Sequence, residues 1–295
     1  MNRRAIIGSF GALLFSAGAA VGFSRLGGKK PAGREPRLVS LTPAITETVL
    51  SLVGAARLVA VSDYCTLPKG KQLPRVGSSL TPNYEVIAGL RPSLILSDDS
   101  AGAKQRELGA IASCEVLPWL TLHDVVESTR RLGKVVEQSA AAEALAQRLQ
   151  SRLGQKPAAN APRVLLLLGY DPDRPAELWF IRQNSLHGAA LGAAGARNAV
   201  DHDVPGLPRL AVEQLLALDP DQVLILPPPG SSLEAKQKIA AAFSALAPLR
   251  AVKENRVGVV KGSQSVGPSI LELVDSLGSM LARMAGPRPA SGIID

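Results

Sequence analysis

A chain of 295 residues with 46% hydrophobic and 20% charged residues has the composition of a globular protein of one or two domains, which excludes a disordered tail or a fibre. The formal net charge of +8 is concentrated at the start of the chain, because residues 1–30 hold five cations and no acid, which leaves about +3 for the rest. The basic character of the chain therefore does not indicate a nucleic-acid-binding protein, and we expect no nucleic-acid partner.

Residues 1–30 have the three-part layout of an export signal. Arg3 and Arg4 form a basic start, an uncharged apolar stretch covers residues 5–24, and small residues lie over 17–20. The paired arginines resemble a twin-arginine signal, and an ordinary secretory signal and an uncleaved membrane anchor are the alternatives. We expect a protein that is exported to the periplasm and loses this segment by cleavage.

Residues 36–121 alternate apolar, strand-like runs with helical runs. Thr42 and Pro43 favour a helix start, because Thr caps free N–H groups and Pro has no N–H to leave unpaired, and Gly54 favours the end of that helix. Steady alternation predicts an N-terminal α/β lobe with a mainly parallel sheet. The predicted strands cover 37–41, 57–62, 93–97 and 114–119, and further helices run up to Leu90 and over 103–112.

Residues 122–155 contain no proline and repeat apolar residues at helical spacing, from Val125 to Leu149. This pattern predicts one long connecting helix of roughly 45–50 Å, with Gly133 as a point where it bends. The alternation then restarts over 161–286, with strands at 163–169, 178–181, 221–226 and 256–260 and helices at 185–195, 212–218 and 268–286. We therefore predict an α/β protein of two mainly parallel lobes, joined by one long helix, with a ligand cleft between them.

One sequence frame occurs in both halves. "NYEVIAGLRPSLIL" starts at residue 83 and "AVEQLLALDPDQVLI" at residue 211, and each contains a Glu, an apolar run, Leu-x-Pro and a strand. The two glutamates are Glu85 and Glu213. Either one alone is explained as an acid that stabilises a helix N-terminus, but the repeated frame favours a shared role.

The blocks "RLVSLTPAITETVLSL", "RLVAVSDYCTLP", "LPRVGSSLTPNYEVIAGLRPSLIL" and "FSALAPLRAVKENRVGVV" resemble a periplasmic binding protein of the rigid-helix class, closest to its cobalamin-binding branch. The likeness covers residues 36–285. It implies a protein that is not an enzyme, has no cofactor of its own, and works as a monomer that passes cobalamin, haem or an iron–siderophore to an ABC importer, that is, a permease dimer with its ATPase. It also implies that Glu85 and Glu213 meet arginines of the permease.

Parallel α/β lobes bind ligands at the carboxyl ends of their strands. Tyr64 and Trp119 offer flat faces to a large ring ligand, although a loop Tyr can also pack on its own lobe. Most positions where cobalamin binders carry tryptophans hold small or aliphatic residues here, which is a departure from that branch and counts against cobalamin. The ligand ranking that the resemblance implies is cobalamin or a related corrinoid first, then haem and then a ferric siderophore. The expected ligand-binding residues are Thr42, Pro43, Tyr64, Asp98 and Trp119 in the first lobe and Asn184, Ser185, Gly206 and Gln264 in the second.

The alternatives to cobalamin have their own candidate residues. Haem needs an axial ligand, for which Tyr64, Tyr84 and His202 are available. An anionic siderophore complex needs cations, and Arg182 and Arg209 are the candidates.

Other reactive residues are few. Cys65 and Cys114 either pair in an oxidising compartment or are two separate small buried residues. His123, His187 and His202 lack metal-site spacing, so we expect no metal site. Ser185, His187 and Asp201 would be the set of a secreted hydrolase, but no G-x-S-x-G turn is present, and Ser185 and His187 would point apart on a helix.

Overall fold

The computed structural model describes residues 36–171, 174, 178–202, 208–228, 231–244, 246–260 and 266–285. The predicted export signal lies outside these residues, as do Gly206 and Gln264. Residues from Glu35 onward form one compact unit that contains both predicted lobes. Among the described residues, no helix has both the length and the apolar character needed to cross a membrane.

The first lobe is a four-stranded parallel sheet with helices on both faces, as predicted. Successive strand residues point to opposite faces, so Leu38 joins an apolar cluster with Ile45 of the first helix, whereas Val39 joins a second cluster with Ile87 and Leu108. The strand order is β2-β1-β3-β4. The elements are β1 (Leu38–Ser40), α1 (Pro43–Val53), β2 (Leu58–Val61), α2 (Tyr84–Gly89), β3 (Leu94–Ser97), α3 (Gln105–Ile111) and β4 (Ser113–Val116).

The prediction of one long helix over 122–155 is wrong, because two helices, α4 (Leu122–Val135) and α5 (Ser139–Leu153), occupy this segment. The chain reverses at Glu137, whose φ of 57° lies in the left-handed region. A side chain at Gly133 would collide with Ala142, so glycine allows α4 and α5 to approach closely. Arg130 of α4 also pairs with Glu143 of α5 at 2.8 Å, and these pairings show an antiparallel helical hairpin.

The second lobe repeats the parallel α/β arrangement. Its main sheet has the order β10-β9-β5-β7, and a small antiparallel pair, β6 and β8, lies beside it. The short strands β7 and β8 and the helices α8 and α9 were not predicted. The elements are β5 (Arg163–Leu168), β6 (Leu178–Trp179), α6 (Leu186–Ala193), β7 (Arg197–Asn198), β8 (Arg209–Leu210), α7 (Val212–Leu218), β9 (Gln222–Leu226), α8 (Leu233–Ser244), α9 (Arg250–Lys253), β10 (Val257–Val259) and α10 (Ile270–Ala285).

One apolar cluster runs through both lobes. It contains Leu38 and Ile45 of the first lobe together with Leu166 of β5 and Leu273 and Leu277 of α10, all of them fully buried. Burial of this kind is the main stabilising term in folding. The two lobes therefore share part of their core and are not connected by the α4–α5 hairpin alone.

Candidate functional site

The carboxyl ends of the two main sheets meet at the boundary between the lobes. Trp119, which follows β4, donates its indole N–H to the carbonyl of Val266 at 2.9 Å, and the N–H of Leu186 in α6 donates to the carbonyl of Leu120 at 3.0 Å. Ser269, just before α10, contacts Glu47 of α1. Since ligands of parallel α/β proteins bind beside the carboxyl ends of the strands, this boundary is the candidate site.

Several large apolar side chains that are exposed lie at or near the carboxyl ends of strands. Tyr64 follows β2 and is 76% exposed, Leu80 is 63% exposed, Leu120 follows β4 and is 54% exposed, and Leu168 ends β5 and is 40% exposed. We call these four residues the apolar rim. Only two other large apolar side chains among the described residues are exposed to this degree, Val86 on α2 and Leu233 on α8. Exposed apolar side chains at the carboxyl ends of parallel strands are candidates for ligand contacts.

The position of Leu80 follows from the loop that carries it, residues 77–82. The N–H of Gly77 donates to Asp63 Oδ1 at 3.0 Å, which fixes this loop beside the end of β2. On its other side, the Ser79 hydroxyl lies 2.8 Å from the Ser100 hydroxyl, beyond the end of β3. Sequence analysis missed Leu80, Leu120 and Leu168, since an exposed leucine has no local pattern that separates it from a core leucine.

Beneath the strand ends lies a buried network of hydroxyl and thiol groups. Thr46 donates to Ser40 Oγ at 2.8 Å, and Cys65 Sγ lies 3.1 Å from the hydroxyls of both Thr46 and Ser62. The hydroxyls of Thr42 and Ser97, at the ends of β1 and β3, are buried without a hydrogen-bond partner among the described residues.

Two charged side chains at the carboxyl ends of the first-lobe strands, Asp98 and Arg75, already form hydrogen bonds within the protein. Asp98 directly precedes the 3₁₀ turn that follows β3, and its carboxylate accepts a hydrogen bond from the Ser100 hydroxyl. The Arg75 guanidinium donates to the carbonyls of Ser62 and Cys65, at 2.7 Å each. The edge around the apolar rim is therefore lined by hydroxyls and carboxylates, while this arginine is turned to backbone oxygens.

In the second lobe, Asn184 is exposed and Ser185 caps α6. The Ser185 oxygen accepts from the N–H of Gly188 at 3.1 Å and donates to the carbonyl of Arg182 at 2.7 Å. This capping explains Ser185 without a nucleophilic role. Among the described residues, no three His, Cys, Asp or Glu side chains come together as a metal site would require.

Two observations bear on the candidate site residues. Trp119 is only 7% exposed and lies in the shared core, so it joins the lobes and has little free ring face for a ligand. Cys65 and Cys114 are both free thiols and do not form the disulfide that the sequence allowed. Cys65 packs on the α1 side of the first sheet and Cys114 on the opposite side, where burial and the neighbouring Glu115 raise the pKa of the Cys114 thiol.

Glu85 and Glu213 occupy equivalent places. Each is the second residue of a short helix, α2 or α7, and each is exposed. Among the described residues, neither glutamate forms an ion pair. Asn83 caps the first helix by accepting from the N–H of Val86 at 3.1 Å, and Gln214 begins the second by accepting from the N–H of Ala211 at 2.8 Å.

The repeated sequence frame is also repeated in its hydrogen bonds. The residue before proline adopts a left-handed backbone in both copies, with φ of 47° at Arg91 and 37° at Asp219. An arginine at the start of the first strand of each lobe donates to the helix-ending carbonyl, with Arg37 at 2.8 Å from Leu90 O and Arg163 at 3.2 Å from Leu218 O. The backbone N–H of each arginine also donates to the side chain three residues beyond that leucine, Ser93 at 2.8 Å and Asp221 at 2.7 Å.

Comparison with known proteins gives a consistent result. Residues 38–263 match the family model described as "Periplasmic binding protein". The chain is 27% identical over 215 residues to the vitamin B12-binding protein of Salmonella typhimurium, covering 68% of this chain and 76% of that protein. It is 26% identical over 233 residues to the high-affinity heme uptake system protein IsdE of Staphylococcus aureus, covering 75% and 76%. A crystal structure of a periplasmic heme-binding protein from Pseudomonas aeruginosa superposes with a TM-score of 0.67 at 27% identity, covering 87% of this chain and 95% of that one.

Proposed function

Because the chain belongs to the periplasmic binding protein family, in the class whose members bind vitamin B12, haem or siderophores, we propose that it captures cobalamin or a related corrinoid and delivers it to an ABC importer. The ligand would sit in the cleft between the lobes, against the apolar rim. The similarity to binding proteins supports a role without catalysis. We further propose that residues 1–30 are cleaved on export and that the protein acts as a monomer.

The observation that carries the choice of ligand is the chemistry around the apolar rim. Tyr64, Leu80, Leu120 and Leu168 suit the broad face of a macrocycle. The polar groups between them in the first lobe are hydroxyls and the carboxylate of Asp98, while Arg75 donates to carbonyls. Hydroxyls pair well with the neutral amide groups around a corrinoid, whereas nearby carboxylates oppose the negative charge of haem propionates or a ferric siderophore.

Haem is the second candidate, because Tyr64 offers a phenol oxygen at the carboxyl end of β2. Its side chain is 76% exposed, so a haem iron that enters the cleft can reach it. A tyrosinate is an established axial ligand of haem iron. The ring face of the same residue would serve a corrinoid, so the Tyr64→Phe variant separates the two functions.

The test is a binding panel of cyanocobalamin, haemin and a ferric hydroxamate, measured by calorimetry and fluorescence quenching on the purified protein. We expect saturable one-to-one binding of cyanocobalamin, unaffected by Tyr64→Phe. Tight binding of haemin that is lost in Tyr64→Phe, with no cyanocobalamin binding, would replace the corrinoid by haem. Absence of binding by all three would refute the proposed class of ligand for this chain.

We also propose that Glu85 and Glu213 dock onto arginines of the permease. Two exposed carboxylates at equivalent positions of the two lobes can be engaged together only by a partner with matching spacing, and such ion pairs mainly set orientation and association rate. Reversal of both charges to Lys should abolish ligand uptake through the reconstituted importer while leaving ligand affinity unchanged. Glu107→Lys is the matched control, because Glu107 is also exposed in the first turn of a helix but lies outside the repeated frame. Loss of ligand binding in the double variant would place these residues in the cleft instead.

A further inference from the structure

The segment that leads into α10, residues 266–269, is held by side chains of the first lobe. Ser269 donates both its backbone N–H and its hydroxyl to the carboxylate of Glu47, with the hydroxyl 3.1 Å from Oε2. Glu47 belongs to α1 and is 222 residues away in the chain. The N–H groups at a helix start need acceptors, and a negative charge there is favoured by the helix dipole. Glu47, from the first lobe, thus accepts hydrogen bonds from the residue directly before the 16-residue helix α10 of the second lobe, and places its carboxylate at the N-terminus of that helix.

Two further contacts fix the same segment. A Cβ atom on Gly267 would lie 2.7 Å from Cδ and 3.0 Å from Cβ of Glu47, so the backbone approaches Glu47 more closely than any residue with a side chain allows. One residue earlier, the Val266 carbonyl accepts from the Trp119 indole at 2.9 Å. The first lobe therefore contacts Val266, Gly267 and Ser269 from two elements, α1 and the segment after β4.

These contacts help to fix the relative orientation of the two lobes, which the connecting α4–α5 hairpin does not fix alone. The connection between the lobes is the α4–α5 hairpin, which ends in a helix of only 15 residues. The spacing of the lobes is therefore not fixed by one long connecting helix. The shared apolar core favours contact between the lobes, but apolar burial is non-directional and leaves their relative angle free to adjust. Hydrogen bonds have preferred distances and angles, so the contacts to residues 266–269 help to hold that angle, together with the hydrogen bond from the Leu186 N–H to the Leu120 carbonyl.

We propose that Glu47 is a positioning residue that latches the two lobes at the spacing that the ligand requires. It acts on the cleft through α10 and not by touching the ligand. Loss of the carboxylate leaves the lobes folded and in contact but widens the range of their spacing. The effect on ligand affinity rests on the proposed function, whereas the effect on lobe spacing does not.

The lobe spacing can be measured by pulsed electron–electron double resonance between two spin labels. The labels are attached at Ala88→Cys of α2 and Ala217→Cys of α7, both of which are exposed positions. The native Cys65 and Cys114 are replaced by Ser in this background. We expect a narrow distance distribution for the parent protein and a broader one for Glu47→Ala. Glu47→Gln should be intermediate, because its amide oxygen still accepts one hydrogen bond.

A second variant and a matched control guard against a merely structural effect. Gly267→Ala leaves the carboxylate in place but pushes the segment away from it, so it should shift the mean distance. Glu272→Ala removes an exposed acid from the first turn of the same helix without touching the first lobe, so it should lower the melting temperature but leave the distances unchanged.

For cyanocobalamin, Glu47→Ala should weaken affinity by about tenfold, with Glu47→Gln in between and Glu272→Ala at the parent value. A distance distribution as narrow in Glu47→Ala as in the parent, together with an unchanged mean distance in Gly267→Ala, would overturn the latch. This holds even if melting temperatures fell, because Glu47 would then be a stabilising cap only. Broadened distances in a protein whose parent binds none of the three test ligands would confirm the latch and refute the proposed ligand class.

Discussion

Replacing Tyr64 by Ala tests whether the apolar rim binds the ligand. A tyrosine side chain contributes roughly 150–250 Å² of surface when buried, and 76% of Tyr64 is exposed, so about 150 Å² is available to a ligand. A planar macrocycle covers one ring face, or about half of this area. At ~25 cal/mol per Å² that is about 2 kcal/mol, which corresponds to a roughly 30-fold increase in Kd for cyanocobalamin.

The assay is isothermal titration of each purified variant with cyanocobalamin, with thermal unfolding measured in parallel. Tyr64→Ala should keep the parent melting temperature, because an exposed side chain contributes little to the core. Leu80→Ala and Leu120→Ala should weaken binding by smaller factors, in line with their smaller surfaces. Leu233→Ala is the control, since Leu233 is another exposed leucine but lies on α8, away from the carboxyl ends of the strands.

Two results would refute the reasoning. A Tyr64→Ala variant that binds cyanocobalamin as tightly as the parent would show that the ligand does not cover this ring. Equal losses in Tyr64→Ala and Leu233→Ala would show that the effect comes from the general surface and not from the rim. If Tyr64→Phe and Tyr64→Ala both lose affinity for haemin and for no other ligand, the phenol oxygen of Tyr64 is an iron ligand.

The remaining predictions concern the parts that hold the site in place. Arg163→Met should leave the Leu218 carbonyl without its donor, so amide exchange over residues 212–218 should become faster by about tenfold, while unchanged exchange would show that the repeated arginine does not support α7. Gly133→Ala should destabilise the protein by about 1–3 kcal/mol in urea unfolding, whereas Gly109→Ala, in a helix with open space around it, should not destabilise it. Burial alone would raise the pKa of Asp124, but hydrogen bonds from the Thr121 backbone and hydroxyl outweigh it and hold this pKa below its ordinary value. The contribution of Asp124 to stability is therefore fully present at neutral pH and is lost as pH falls below about 4. In unfolding curves measured between pH 3 and 7, Asp124→Asn should lose less stability on acidification than the parent protein does. The same pH dependence in both proteins would contradict this prediction.

Most strands and helices of the two lobes were predictable because their signals are local. The run from Val164 to Leu167 is fully buried on both faces, and a continuous apolar run is the pattern that a central parallel strand requires. Helix α7 has the predicted bounds, since Leu218 is followed by the left-handed Asp219 and by Pro220, which together end it. These elements depend on neighbours within a few residues.

The errors arose where distant residues decide the structure. One helix over the 34 residues 122–155 and two packed helices of 14 and 15 residues have the same apolar periodicity, because each helix buries one face. The break at Glu137 is stabilised by the contact of Gly133 with Ala142, which exists only after the chain has reversed. Trp119 was placed correctly at a strand end, but its contact with Val266, 147 residues away, decides that its ring is buried.

The two lobes have matching hydrogen bonds in the repeated frame but different side chains at the strand ends. Arg37 and Arg163, with the helix-ending Leu90 and Leu218, make matching hydrogen bonds in both lobes, so the helices that carry Glu85 and Glu213 are supported in the same way. The strand ends have no such correspondence, since the first lobe presents Tyr64 and hydroxyls where the second presents Leu168 and the capped start of α6. A partner that engages both lobes at once needs equivalent contacts, whereas an asymmetric ligand held between them needs different ones. If the frame serves docking and the strand ends bind the ligand, the frame should have the same geometry in both lobes and the strand ends should differ in their side chains. The two lobes show this combination. On this reasoning, residues at the strand ends can be exchanged to alter ligand choice without loss of docking, provided that the Glu47 latch keeps the lobes at the spacing that both tasks share.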